Sequence, residues 1–355
     1  MVIDFLTQYG LFLAKTLTLV LAILLVIIVA ASLVSRRRHQ QSEGHVEVKN
    51  LNDKYKEMYE ALEEAVLDDE LLRQRIKQER KQEKSDAKAR RKAAKKGELE
   101  EDDKKRIYVL DFDGDISASA TDQLREEITA ILAIARPEKD EVVLNLESPG
   151  GMVHAYGFAA SQLERLRRKQ INLTICVDKV AASGGYMMAC IANKILAAPF
   201  AVVGSIGVVA QLPNFHRLLK KNDIDYEILT AGEYKRTLTV FGQNTDKGRE
   251  KFVEELEETH QLFKTFVTEY RPQLDIAKVA TGEIWYGRQA ITEQLVDQLI
   301  TSDEYLTEAA EEADLYKVSY EHKKGLQDRL GELAADSSDR LLLRWWQRIS
   351  QRPLM

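Results

Sequence analysis

The chain has 355 residues, enough at about 100 to 200 residues per domain for one sizeable core with appendages. Its 57 acidic residues outnumber its 51 lysines and arginines, and a formal charge of −6 argues against a nucleic-acid binder. The only two cysteines, Cys176 and Cys190, both lie in apolar runs; they exclude a disulfide framework and read as inert buried thiols.

Leu11 to Val34 is predominantly apolar with Lys15 its only charge, close to the roughly 20 residues that cross a hydrocarbon core. A cleaved signal peptide carries its basic residues first and a small-residue cleavage site after. Here Asp4 comes first and Arg36, Arg37 and Arg38 follow the span, so residues 1–35 are expected to form an uncleaved, single-pass anchor. The same charge asymmetry predicts that whatever follows the anchor faces the cytoplasm.

Residues 36–105 are charged, mixed in sign and poor in aromatics, which predicts a helical or disordered stalk. Within it Tyr55, Met58, Tyr59, Leu62, Val66 and Leu71 fall on one helical stripe suited to packing against a partner. The basic runs lack the interleaved rings of a strand binder.

From Arg106 to about 318 short apolar runs alternate with helical ones. Ile107–Phe112, Val142–Leu146 and Ile171–Val177 read as strands; Thr121–Ala135, Ala155–Arg168 and the run Tyr186–Ala192 read as helices. Such alternation predicts βαβ units and an α/β fold with a mainly parallel sheet. The apolar stretch Met187–Leu212 is interrupted by Asn193, Lys194, Pro199, Gly204 and Gly207, and so predicts buried core elements instead of a second span. Residues 319–355 form a C-terminal tail.

Two loops on this frame carry candidate chemistry. Ser183 follows Val180, Ala181 and Ala182 and precedes Gly184 and Gly185 at the start of a helix, where orphan N–H groups favour an oxyanion. The turn Glu147-Ser148-Pro149-Gly150-Gly151 follows the second strand, at the edge where α/β sheets bind ligands. The N–H of Gly150 or Gly151, joined by that of Gly184, is therefore the expected oxyanion hole. Taken alone, each loop also reads as a plain turn or N-cap.

A serine needs a base within reach, and a lysine serves only when neutral, a form favoured by apolar surroundings. Lys235, in Gly232-Glu233-Tyr234-Lys235-Arg236-Thr237, is the candidate. Histidine is the commoner base, and His154, close after Gly151, is the alternative member of a triad. His216 opens a helical stretch, His260 sits on an amphipathic helix, and His39, His45 and His322 lie in polar tails. No metal-ligand spacing and no phosphate loop occurs in the sequence, so neither metal, cofactor nor ATP is expected.

Residues 106–300 resemble the signal peptide peptidase A family of membrane serine proteases. The matching pieces, in order, are Ser148–Gly151 (SPGG), Asp178–Ala189 (DKVAASGGYMMA), Gly204–Val209 (GSIGVV), Gly232–Thr237 (GEYKRT) and Ile284–Ala290 (IWYGRQA). The chain is most similar to the shorter members, whose catalytic unit is present once. The resemblance implies a ClpP/crotonase-like fold, a Ser183–Lys235 dyad and an acyl-enzyme. It also implies a Ser205 that orients the lysine amine, peptide or signal-peptide-like substrates, and a homo-oligomeric ring at a bacterial inner membrane. Family precedent puts the protease domain outside the cytoplasm, against the charge rule. One departure is Gln294, where the family commonly has glycine. A non-catalytic membrane scaffold and a crotonase acting on acyl-CoA are the competing functions on such a fold; the crotonase would not need a Ser-Lys pair.

Overall fold

The structure, a computed structural model, describes residues 9–13, 15–20, 44–68 and 104–322, with scattered positions between 70 and 88. Two units divide the chain, one of residues 46–319 and one of the flanking segments. Among the described residues no helix is long and apolar enough to cross a membrane. Most of the expected anchor, residues 21–34, lies outside them, as do Arg36–Arg38 and the tail beyond His322.

In chain order the elements begin with β1 (Gly44–Asn50), α1 (Leu51–Val66), β2 (Arg106–Asp113), α2 (Thr121–Leu132) and β3 (Glu141–Glu147). Next come α3 (Val153–Arg168), β4 (Asn172–Val177), β5 (Val180–Ala182), α4 (Gly184–Ala189), β6 (Lys194–Ala197) and β7 (Val202–Gly204). The remainder are α5 (His216–Lys221), α6 (Asp246–Tyr270), α7 (Ile276–Val279), β8 (Ile284–Tyr286), α8 (Gly287–Ala290), β9 (Gln298–Leu299), α9 (Ser302–Glu312) and β10 (Asp314–His322).

Seven strands form one sheet in the order β1-β10-β2-β3-β4-β6-β9, with the pairs from β10 through β9 all parallel. The predicted α/β class and parallel sheet are thus observed. Strand β2 shows how sequence sets the layers. Tyr108, Leu110 and Phe112 enter the core beneath α2 and α3, while Ile107 and Val109 enter a second core with Leu51 and Leu306. β3 sends Val142, Leu144 and Leu146 into the first core and Val143 into the second, with Leu144 level with Leu110 and Ile175. The Met187–Leu212 stretch holds the end of α4 together with β6 and β7, whose residues are mostly buried.

The segment expected to be a stalk contributes more than a linker. β1 extends the sheet edge, and Asn52 of α1 donates from Nδ2 to the carbonyls of Ala310 and Ala313 while its Oδ1 accepts the N–H of Leu315. One amide side chain thereby closes three backbone groups at the α9–β10 junction, a long-range pairing with no local signature in a charged run. Met58, Tyr59, Leu62 and Val66, on the stripe noted above, are exposed.

A buried carboxylate fixes the bottom of the sheet. Asp140 is fully buried, accepts the N–H groups of Arg106 and Arg136, and is gripped by the Arg136 guanidinium at 2.6 Å. Burial pushes this carboxyl up, but the Arg136 side chain and the two backbone N–H groups outweigh it and hold the group below the ordinary carboxylate range. A depressed folded-state pKa stabilises the fold above the unfolded value and loses that contribution as pH falls through the folded one. Asp140→Asn should therefore cost roughly 2 to 4 kcal/mol at neutral pH, and the difference from wild type should shrink below about pH 4. Chemical denaturation of both proteins across that range checks it.

Candidate active site

The end of β3 and the start of β5 are stitched together. Ser148 N–H donates to the Val180 carbonyl at 2.8 Å and Ala182 N–H donates to the Ser148 carbonyl at 3.0 Å, which makes Ser148 and Ala181 parallel partners. Two residues further along each chain this pairing sets the glycine turn against the serine. A Cβ on Gly150 would lie 2.7 Å from Cβ of Ser183 and 2.8 Å from the N of Gly184, so no side chain fits there. Gly150 also has φ of +89°, a conformation that other residues rarely adopt.

Ser183 itself is strained. Its φ of 53° and ψ of −118° put a non-glycine residue in a sparsely populated region, at a cost of about 1 to 3 kcal/mol. It is half-buried, precedes the first residue of α4, and donates its N–H to the Gly204 carbonyl at 2.8 Å. Met187 N–H closes the first helical turn onto the Ser183 carbonyl, which leaves the Gly184 N–H among the orphan donors of that turn.

The two glycine donors of the SPGG turn differ. Gly150 N–H is engaged by Ser148 Oγ at 3.1 Å, whereas Gly151 N–H has no partner among the described residues. Gly151 and Gly184 are therefore the free donors on either side of Ser183.

Ser205 follows Gly204, whose carbonyl holds Ser183, so it lies one residue from a direct contact with the serine backbone. Its own N–H donates to the Glu283 carbonyl at 2.7 Å, and its φ of 50° is again left-handed. Lys235 is placed differently. It lies on an exposed segment strapped to the start of α6: Glu233 pairs with Lys247 at 2.5 Å, and Lys247 and Lys251 stand over the Tyr234 ring. No hydrogen bond joins Lys235 to Ser183 or Ser205 among the described residues; its backbone N–H donates to the Gly232 carbonyl. The far half of α6 is anchored in the core through Phe263 and Val267, and His260 Nε2 contacts the Ile206 carbonyl at 3.1 Å. His154 is exposed on the first turn of α3 and makes no hydrogen bond to Ser183 among the described residues.

Both cysteines are buried, and burial pushes the Cys176 thiol up to about 12, which removes its thiolate at neutral pH. Among the described residues no cluster of His, Cys, Asp or Glu has the geometry of a metal site.

A parallel α/β sheet that presents a strained serine beside a glycine turn, with free N–H donors on both sides, is the framework of a hydrolase. Residues 4–163 match the model described as Peptidase family S49 N-terminal, and residues 165–316 match that described as Peptidase family S49. The chain belongs to peptidase family S49, the signal peptide peptidase A family, and is of the SohB type. A probable protease SohB of Haemophilus influenzae is 55% identical over 344 residues, 96% of each chain. Another of Buchnera aphidicola is 50% identical over 326 residues, 92% of this chain and 93% of that one. A putative protease of Methanocaldococcus jannaschii is 33% identical over 201 residues, 53% of this chain and 64% of that one.

The structure also accounts for the one departure. Gln294 has φ of 60°, a position glycine takes freely, and its carbonyl accepts from Arg271, whose guanidinium forks onto Asp297 at 2.8 Å. Sequence reading did not single out Tyr156, a fully buried hydroxyl among helical apolar residues that reads as core. The strain at Ser183 is testable directly. Ser183→Gly should be more stable than wild type by about 1 kcal/mol while Ser183→Ala gains nothing, because only glycine relaxes the backbone. Paired thermal denaturation curves distinguish them.

Proposed function

We propose that this S49 peptidase is a membrane-anchored serine endopeptidase in which Ser183 is the nucleophile and Lys235 the general base. The observation that carries it is the Ser183 geometry: a strained serine at a helix start, with the free N–H groups of Gly151 and Gly184 on either side. Ser183 Oγ attacks the scissile carbonyl as its proton passes to the Lys235 amine, and the tetrahedral oxyanion takes hydrogen bonds from those two N–H groups. The amine then protonates the leaving nitrogen, and a water activated by the same lysine hydrolyses the acyl-enzyme. Ser205 orients the amine. No step calls on a cofactor.

Lys235 must approach Ser183 for this chemistry, and the segment that bears it is suited to being covered. Val209, Leu218, Ile224, Tyr226 and Leu229 are all exposed, Leu229 by 92%. Such apolar area on one segment supports a homo-oligomer in which packing of this arm sets the amine in place. Peptides and signal-peptide-like segments are the proposed substrates, in keeping with the family. The exposed Lys235 is also what a non-catalytic scaffold would show, and the two readings separate on one measurement.

A fluorophosphonate probe should label the purified wild-type protein and fail on Ser183→Ala. Lys235→Ala should lower peptide turnover roughly 1,000-fold or more, with the double variant no worse, because the dyad acts as a unit. Absence of labelling in the wild type would leave the scaffold.

The apolar run Leu11–Val34 supports an anchor, and the Arg36–Arg38 flank supports a cytoplasmic catalytic unit. Protease added to intact spheroplasts should then spare the region beyond Arg106 until lysis. Digestion before lysis would put that unit on the outer face.

A further inference from the structure

Behind the glycine turn lies a chain of hydrogen bonds in which every proton has one place to go. Tyr156 of α3 is fully buried, and its hydroxyl donates to the Asp115 carbonyl at 2.8 Å. With that proton committed, the 2.6 Å contact between Tyr156 Oη and Ser148 Oγ requires the serine to donate. Ser148 Oγ in turn accepts the Gly150 N–H at 3.1 Å. The relay therefore runs in one direction, from Gly150 N–H through Ser148 and Tyr156 to the Asp115 carbonyl, and its members polarise one another.

The relay's far end is itself fixed. The Asp115 carboxylate accepts the N–H of Ser117 and of Ser119 together with both hydroxyls, and the Ser119 bonds lead in holding it below its ordinary range. The following residue, Ile116, accepts the Met152 N–H at 2.8 Å, which ties the turn's exit to the same loop. The Tyr156 ring also lies against Gly184, where its Cγ and Cδ2 leave no room for a Cβ. One side chain thus meets both sides of the oxyanion hole, the glycine turn through its hydroxyl and the helix start through its ring.

We infer that Tyr156 is a positioning residue for catalysis: by drawing the Gly150 N–H inward through Ser148, it leaves the Gly151 N–H turned free towards the oxyanion. This rests on the reading of Ser183 as nucleophile with Gly151 and Gly184 as donors. The role belongs to the hydroxyl and is separable from the packing of the ring, which Tyr156→Phe retains.

The test uses the full-length protein and a fluorogenic peptide amide, with active sites counted by exhaustive fluorophosphonate labelling. Tyr156→Phe should lower kcat per labelled site roughly 10- to 100-fold with KM within about threefold, since misplacing a donor weakens only the transition state. A peptide boronate, which forms a tetrahedral adduct, should lose affinity by the same factor. Ser148→Ala should behave alike, and the double variant should be no slower than the slower single one. A merely structural tyrosine would lower the melting temperature and the number of labelled sites while leaving kcat per site within about twofold, and that result overturns the inference. Multiplicative losses in the double variant overturn it too. Should Tyr156→Phe fail to fold, Ser148→Ala carries the same kcat criterion. If Ser183→Ala remains labelled and active, or the wild type is neither, the nucleophile reading fails and this inference with it; loss in Ser183→Ala with an unaltered Tyr156→Phe removes only the relay.

Discussion

The pairing of Ser148 with Ala181 is the contact on which the candidate site depends. Two short backbone hydrogen bonds carry the end of a central strand across to the strand that leads into Ser183. Because both segments run parallel, their next residues emerge on the same side, and the glycine turn meets the helix start without any side chain intervening. The surrounding core holds this register. Leu144 and Ile175 are fully buried on β3 and β4, and a slip of one residue in either strand would turn them to the opposite face.

Close approach has a cost that the rest of the fold offsets. Ser183 and Ser205 both take left-handed backbone, and Gly150 and Gly204 sit where a Cβ would collide with a neighbour. Each strained residue costs of the order of 1 to 3 kcal/mol, comparable to what burial of one large apolar side chain supplies. Several such side chains pack directly beneath the site, so the strain persists without help from a ligand. The backbone of Ser183 is thereby fixed beside the glycine turn, a geometry that does not wait on a ligand.

The lysine-bearing arm follows a different logic. Its connections are surface ones, an exposed Glu233–Lys247 pair and cations above Tyr234, which contribute little rigidity in water. Its apolar residues point outward in place of a core. The proposed nucleophile thus rests on the sheet, while the arm carrying the proposed base has its own packing still to make.

Much of the frame was legible in the residues themselves. The apolar runs Ile107–Phe112 and Val142–Leu146, alternating with helical stretches, predicted a parallel sheet because strand–helix–strand units leave few alternatives. Ser183 and the SPGG turn stood out because serine followed by two glycines at a helix start, and a Pro-Gly-Gly turn after a strand, are local signals with local causes. The contribution of Gly44–Val66 to the sheet and its outer core was not legible, since a charged run gives no sign that Asn52 will close backbone groups more than 250 residues away. Nor could sequence separate Gly150 from Gly151, or set Tyr156 apart from any other core aromatic. Those distinctions rest on which hydroxyl meets which N–H across the sheet, and hydrogen-bond partners remote in sequence are chosen only when tertiary packing brings them within 3 Å or so.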